Sequence, residues 1–313
     1  MGAILVVIYR GWDSPHAWSL DIKLDNLIAY LMKFVQTILR GIGQVMFQNN
    51  IYSGILFLIG ISYNSWLLGL AALFGTIIST GSALILRYPK DDIQNGLYGF
   101  NGALTGIAVL FFFEVNFIIV LALIAGAVLS TVMMNLLKKV IPPLTAPFVM
   151  VTWFVIYSLQ FVFNFPLLPS SEPTGNTIDI LTASGNSFGQ VMFQENRITG
   201  LFFLLGILVN NRLMAIYAVY AAVLGALVGW LFSAPFSTIN AGLMGYNAIL
   251  CAIALTGKRR ADFLWITLAI GLSTLLNIGL SMTGIIALTA PFVVVTWIIW
   301  KLKQKTQVKE VVA

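Results

Sequence analysis

Apolar residues run along this chain in long blocks rather than in alternation. No Asp, Glu, Lys or Arg occurs in 41–86, 93–113, 115–137, 140–171, 213–257 or 263–300. A helix that crosses a bilayer core needs about 20 apolar residues, so the longer blocks each hold more than one crossing. Leu, Ile, Ala, Val and Gly dominate and strict two-residue alternation is missing, which predicts helices rather than a transmembrane barrel. Spans are expected near 43–62, 65–86, 93–113, 115–137 and 140–160, and again near 189–209, 213–232, 238–256, 263–280 and 283–302. Ahead of them, 20–42 mixes Lys23, Asp25, Lys33 and Arg40 with Leu27, Ile28, Leu31, Phe34, Val35 and Ile38 at helical spacing. That segment reads as an interfacial or partly inserted helix.

Composition agrees with membrane residence. Of 313 residues, 59% are hydrophobic and only 9% charged, with a mean hydropathy of +0.94. A soluble domain carries roughly a quarter charged residues. The net charge of +6 sits in short loops and the tail, as membrane topology would place it, and does not point to nucleic acid. With the N-terminus in the cytoplasm, Arg87, Lys90, Lys138, Lys139, Arg212, Lys258, Arg259, Arg260 and the tail lysines all fall inside, and Glu114 and the acidic linker fall outside. Arg197 is the one basic exception. Cys251 is the single cysteine, so an internal disulfide and a cysteine-built metal site are excluded. Residues 1–19, with the only histidine, His16, lack a basic start and a small-residue cleavage site, and their role is not assigned. The expected layout is 1–19, a first membrane repeat at 20–163, an extracytoplasmic Pro/Ser/Thr/Gly-rich linker at 164–186, a second repeat at 187–305 and a cytoplasmic tail at 306–313.

The two membrane blocks repeat one another. Gly43-Gln44-Val45-Met46-Phe47-Gln48-Asn49-Asn50 returns 146 residues later as Gly189-Gln190-Val191-Met192-Phe193-Gln194-Glu195-Asn196, with seven of eight positions kept. Gly96-Leu97-Tyr98-Gly99-Phe100-Asn101 returns at the same offset as Gly242-Leu243-Met244-Gly245-Tyr246-Asn247. Leu144-Thr145-Ala146-Pro147-Phe148-Val149 returns 144 residues later as Leu288-Thr289-Ala290-Pro291-Phe292-Val293. Five spans per repeat is an odd number, so the second repeat must enter the membrane upside down. Inverted repeats place a site near the midplane at their interface, often through broken helices.

Each repeated piece disturbs a helix. Glycines relax the backbone and asparagine caps a helix start. Pro147 and Pro291 interrupt the hydrogen-bond ladder, and the carbonyls they release must face protein or a polar lumen. Taken singly, Gly99 or Gly245 suits helix packing and Phe47 or Phe193 suits core filling. Gln44 and Gln190 are harder to dismiss, because a buried amide demands partners. Together the three pieces predict an uncharged, lumen-lining site for a small neutral polar molecule.

These strings, in this order and spacing, resemble the urea transporter family over roughly residues 20–305. The resemblance implies an all-α integral membrane protein of about ten transmembrane helices in two inverted repeats of five, with broken half-helices around a central pore. It implies a homotrimer with one pore per protomer, urea as the permeant, lipid as the surroundings and no cofactor. Phe47 and Phe100 match one aromatic slot, and Phe193 and Tyr246 the other. Gln44 and Gln190 match the polar positions beside the slots, Thr145 and Thr289 the central oxygens, and Val45, Leu104, Val191 and Leu250 the apolar side of the constriction. Glu195 departs from its partner Asn49 and stands either at the mouth or as a helix cap. A bacterial inner membrane, with both termini cytoplasmic, is the expected location.

The chemistry fits a flat neutral solute. Facing rings admit a thin planar molecule and cover its faces, and oxygens along one edge replace the water stripped from its N–H groups. Competing classes lack their parts. Ion-coupled transport of a small neutral solute needs an intramembrane carboxylate or histidine, and Glu195 is the sole candidate. No Asn-Pro dipeptide, histidine relay, Glu-x-x-His set, Gly-x-Ser-x-Gly elbow or nucleotide loop occurs, so aquaporin-type, ammonium-type and enzymatic readings are disfavoured. Urea analogues or short amides as cargo remain open alternatives.

Overall fold

The computed structural model describes residues 15–169 and 177–312, with side chains placed for 26–169 and 177–306. The expectations for 1–14, for the side chain of His16 and for the middle of the linker lie outside the described residues. Among the described residues fourteen α-helices follow one another: α1 Pro15–Gln44, α2 Ile51–Asn64, α3 Trp66–Ile85, α4 Lys90–Gln94, α5 Gly99–Phe112, α6 Phe117–Leu137, α7 Ala146–Tyr157, α8 Ile180–Gln190, α9 Arg197–Asn210, α10 Arg212–Leu231, α11 Phe236–Asn240, α12 Tyr246–Ala254, α13 Arg260–Met282 and α14 Ala290–Val312. A π-helical turn, Ser158–Val162, continues α7.

Four helices, α3, α6, α10 and α13, are long and apolar enough to cross a membrane, at 20 to 23 residues each. Others are shorter than the spans expected for them. The stretch 43–62 opens with the last residues of α1 and an irregular turn, and α2 begins only at Ile51. The stretches 93–113 and 238–256 are each split, into α4 and α5 and into α11 and α12. Fourteen residues of helix reach about 21 Å, short of the roughly 30 Å hydrocarbon core. The hydropathy of these stretches is continuous but their backbone is not, because Gly96 (φ 74°) and Gly242 (φ 82°) adopt left-handed conformations that end the preceding helix. The expected linker also gives ground to helix. α8 starts at Ile180, where Asp179 caps it by accepting from the N–H groups of Leu181 and Thr182 at 3.0 and 3.2 Å.

The long helices are built inside out. The buried face of α10 is Ala215, Ala218, Ala221, Ala222, Gly225, Ala226 and Gly229, while Ile216, Val219, Val223 and Leu227 point outward. α3 buries Gly69, Ala71, Ala72, Gly75, Thr76 and Ser79 and exposes Leu70, Phe74 and Ile77. Small residues let helices approach closely where lipid supplies no hydrophobic drive between them, and large apolar side chains then face the acyl chains. The stripe Leu27, Ile28, Leu31 and Val35 on α1 is exposed too; burial along α1 starts at Thr37 and Ile38.

The halves meet through α2 and α9, and the hydrogen bonds and ring packing there are reciprocal. Ser53 Oγ donates to the Gly206 carbonyl at 2.7 Å, and Thr199 Oγ1 donates to the Gly60 carbonyl at 2.8 Å. Phe57 and Phe203 pack edge to face with centroids 5.2 Å apart. A Cβ on Gly60 would meet the ring of Phe203 at 3.0 Å, and one on Gly206 would meet the ring of Phe57 at 2.5 Å. Contacts exchanged in this way, residue i on j and the partner of j on the partner of i, have the pattern of a two-fold interface.

Candidate functional site

The glutamine strings form two matching turns. Phe47 and Phe193 both sit at φ 61°, a conformation that costs a non-glycine residue on the order of 1–3 kcal/mol unless its surroundings enforce it. Here they do. The Gln48 N–H donates to the Gly43 carbonyl and the Gln194 N–H to the Gly189 carbonyl, each at 3.0 Å. The Gln48 side-chain amide donates to the Met46 carbonyl, and that of Gln194 to the Met192 carbonyl. Across the two-fold, Asn210 donates to Gln48 Oε1 at 2.8 Å and Asn64 donates to Gln194 Oε1 at 2.9 Å. Gln48 and Gln194 are each 0% exposed. They are fully engaged in holding the turns.

Gln44 and Gln190 are placed differently. Each is half-buried, and each donates its amide nitrogen to one carbonyl, of Asn95 and Ala241 respectively, at 3.0 Å. No donor among the described residues reaches either Oε1. The end of α1 lies against the α4–α5 break, where a Cβ on Gly41 would come 3.3 Å from Gly99 Cα. The end of α8 lies likewise against the α11–α12 break, through Ser187 and Gly245. These crossings bring the residues that carry Gln44 and Phe100 to one place, and those that carry Gln190 and Tyr246 to another.

Phe100 and Tyr246 stand in the first turns of α5 and α12, 6% and 8% exposed. The neighbouring asparagines cap a helix, but not their own. Asn101 Oδ1 accepts the Phe148 N–H in the first turn of α7, and Asn247 Oδ1 accepts the Phe292 N–H in the first turn of α14, each at 3.1 Å. Phe47 and Phe100 do not form a ring contact among the described residues, nor do Phe193 and Tyr246. The turn phenylalanines instead meet rings of the opposite half edge to face: Phe47 with Phe292 at 5.9 Å and Phe193 with Phe148 at 6.3 Å. Val45, Leu104, Val191 and Leu250 are buried in the apolar core.

At the two-fold itself, Thr145 and Thr289 hydrogen-bond to each other through their hydroxyls at 2.6 Å, at 1% and 2% exposure. Two tryptophans brace this centre: Trp153 Nε1 donates to the Ile286 carbonyl at 2.7 Å, and Trp297 Nε1 to the Pro142 carbonyl at 2.8 Å. α7 and α14 thus begin at one point, and helix N-termini carry positive potential.

Among the described residues no charged side chain bonds to either threonine. Lys138 pairs with Asp92 at 2.5 Å and donates to Tyr98 Oη at 2.6 Å. Burial pulls the Lys138 pKa down, but the bonds to Asp92 and Tyr98 prevail and hold it above the usual lysine value. Asp262 pairs with Lys303 and joins Arg259 in a capping box. Glu195 stands on the exposed rim of the second turn. Its counterpart Asn49 donates to Asn95 Oδ1 at 3.0 Å, whereas the residue matching Asn95 is Ala241, whose methyl group has no acceptor.

Asn64, Asn210, Trp153 and Trp297 were not singled out by the sequence reading. The signal was present, since Asn64 and Asn210 are 146 apart and Trp153 and Trp297 are 144 apart, but short strings of adjacent residues draw the eye before isolated ones do.

The comparisons with known proteins give one answer. A family model described as Urea transporter matches residues 35–304. The chain is 32% identical over 279 residues to Urea transporter 1 of Ovis aries, covering 82% of this chain and 72% of that protein. It is 31% identical over 279 residues to Urea transporter 1 of Capra hircus, with the same coverage. The repeated glutamine turns, the broken α4–α5 and α11–α12 segments and the paired threonines all lie within the matched region, and this chain belongs to the urea transporter family.

Proposed function

We propose that this membrane protein conducts urea passively, through a pore at the two-fold contact between its halves. The observation that carries the reading is the Thr145–Thr289 hydrogen bond between the halves, with Phe47 and Phe193 packed on Phe292 and Phe148 three residues past those threonines, in a urea transporter family member that repeats the uncharged pairs Gln44/Gln190 and Phe100/Tyr246. Urea presents one acceptor oxygen and two amide groups in a plane. Ring faces at Phe47 and Phe100, and at Phe193 and Tyr246, take up the faces of that plane. Gln44 Oε1 and Gln190 Oε1 accept its N–H groups where it leaves water, and the threonine hydroxyls accept or donate at the centre. Each N–H left unmatched costs about 1–3 kcal/mol, which selects for solutes that carry paired donors. The side of the crevice without oxygens is Val45, Leu104, Val191 and Leu250. With Asp92, Lys138, Asp262 and Lys303 paired with each other away from the threonines, an entering ion meets no counter-charge.

The reciprocal contacts of α2 with α9 support two inverted repeats of five spans each, the ten spans resting on α2, α3, α5, α6 and α7 and on α9, α10, α12, α13 and α14. The repeats fall at 20–163 and 187–305, on either side of an external linker at 164–186. The basic loops support cytoplasmic termini in a bacterial inner membrane, and three protomers with one pore each complete the assembly.

Stopped-flow uptake into vesicles tests this. With the purified protein, urea enters faster than through lipid alone and stops at equal concentration with or without a proton or Na⁺ gradient. Accumulation above equilibrium under a gradient, or a rate equal to that of bare lipid, would overturn the proposal.

A further inference from the structure

The two polar edges of the crevice are not equivalent. Leu144 and Leu288 precede the central threonines in the same left-handed conformation, at φ 52° and 46°. In the second half the Leu288 carbonyl is taken. Tyr246 Oη lies 2.6 Å from it and 3.2 Å from Asn277 Oδ1. A hydroxyl has one proton, and the shorter contact takes it. Asn247 Nδ2 adds a second, longer donor at 3.3 Å. Asn277 is fixed in turn by donating to the Leu243 carbonyl at 2.8 Å. In the first half nothing comparable exists. Phe100 has no hydroxyl, and Asn101 Nδ2 turns to Met134 Sδ at 3.7 Å. No donor among the described residues reaches the Leu144 carbonyl, which is buried and next to Thr145.

We propose that Tyr246 sets where the solute rests. Its hydroxyl and Asn247 Nδ2 together fill both lone pairs of the Leu288 carbonyl, so the Leu144 carbonyl of the first half is the backbone oxygen that holds an N–H of the permeant, and occupancy is biased to the first-half side. This rests on the urea-pore reading and adds an asymmetry to it. Tyr246 is a specificity-determining residue by subtraction: it fills the ring position of its slot and withdraws the oxygen at that slot's edge.

Two exchanges test it, each read by equilibrium urea binding to the detergent-solubilised protein and by stopped-flow uptake. Tyr246→Phe frees one lone pair of the Leu288 carbonyl, Asn247 Nδ2 keeping the other, and lowers the apparent Kd for urea about 3- to 10-fold, the range of one added hydrogen bond. Phe100→Tyr brings a hydroxyl to the Leu144 carbonyl and raises the apparent Kd by a similar factor. Thiourea, which keeps all four N–H donors, follows urea in both variants. Acetone, of similar outline but with no N–H, changes in neither, and a purely structural loss would move both solutes alike. Wild-type urea affinity in both variants, or weakening in Tyr246→Phe with Phe100→Tyr unchanged, would overturn the assignment even though the protein conducts urea. Should Tyr246→Phe fail to fold, Phe100→Tyr decides alone, since it alters only the other edge. A wild-type protein that neither binds nor conducts urea would overturn the pore reading itself, and this inference with it.

Discussion

Residues 39–60 and 185–206 make the same contacts with roles exchanged. The turns share a left-handed phenylalanine, the glutamines behind them share carbonyl partners, and the asparagines that follow share cap bonds to two N–H groups each. At the end of the turn Glu195 replaces Asn49, and further from it the halves diverge more: Tyr246 replaces Phe100, Cys251 replaces Thr105, and the Asp92–Tyr98–Lys138 cluster has Thr238 and Met244 at the positions of its first two members. Phe193 is buttressed by Phe111 and Phe112, whereas Gly257 and Lys258 stand at the matching places behind Phe47. The repeated residues are those that hold backbone geometry, and the divergent ones change the side-chain chemistry around it. Matching backbones therefore leave room for the asymmetry proposed above.

The strongest way to break the comparison is at the helix crossings. A Cβ on Gly54 would lie 1.9 Å from the Leu39 carbonyl oxygen, and a Cβ on Gly200 would lie 1.9 Å from the Gly185 carbonyl oxygen. Both obstacles are backbone atoms, so neither can rotate away. Gly54→Ala and Gly200→Ala are each expected to destabilise by at least the roughly 1–3 kcal/mol of an overpacked core, seen as a lower thermal unfolding midpoint in detergent. Equal losses sustain the two-fold equivalence; tolerance at one site and failure at the other would refute it.

The glutamines can be used to separate structure from the proposed transport role within one turn. Gln194→Leu leaves the Asn64 amide and the Met192 carbonyl without their partner in a buried interface, at about 1–3 kcal/mol for a lost buried partner. Its unfolding midpoint should fall. Gln190→Leu, four residues away, removes an amide whose oxygen bonds no protein donor and should slow urea uptake about fivefold, the kinetic equivalent of roughly 1 kcal/mol, with a smaller fall in midpoint than Gln194→Leu, because only the Ala241 carbonyl loses its partner. If Gln190→Leu unfolds the protein and conducts normally when folded, its amide belongs to packing.

This division explains what could be read from the sequence and what could not. The pairs at fixed offset gave the repeat, the paired chemistry and the family, because Gln44 with Gln190 and Thr145 with Thr289 are visible as strings. The true helix lengths were not visible. Hydropathy averages over a window and cannot see that Gly96 and Gly242 reverse the backbone inside an apolar run, nor that α1 continues into the first turn. Which glutamine does which job was also hidden. Gln48 and Gln44 differ only in reach, and the donors that claim Gln48 and Gln194 come from the opposite half, 162 and 130 residues away.

A smaller effect is expected at the centre, where the comparison can be sharpened. Thr145→Val leaves the Thr289 hydroxyl without its partner, and Thr289→Val does the reverse. The double variant removes both. Each single change should slow urea flux a few-fold and cost up to about 1–3 kcal/mol of stability, while the double variant should be no less stable than either single one, since replacing both partners leaves no orphan. Non-additive midpoints with a further loss of flux would tie the pair to transport and not only to packing. Additive midpoints would mean that the two hydroxyls do not act together.

The least effect is expected where the halves first part company. Lys33 occupies the interior of the unbroken α1, and its counterpart Asp179 starts α8 as a cap. The Thr182 hydroxyl donates to Asp179 Oδ2 at 2.6 Å, and with the N–H groups of Thr182 and Leu181 and the nearby Arg197 it holds that carboxyl below the usual value of 3.8. A carboxyl lowered in the folded state stabilises above its unfolded value and loses that contribution as pH falls through the folded one. Acidification below pH 3.8 should therefore loosen the start of α8 in the wild type. Asp179→Ala should show the loosened start already at neutral pH, and the start of its α8 should respond no further to acid. Hydrogen exchange at Leu181 and Thr182, compared with exchange around Lys33, reads this directly. Protection at 181–182 that is indifferent to both the substitution and acid would mean that α8 is held by its packing against α9, as α1 is by α2, and that the cap is incidental to the second half.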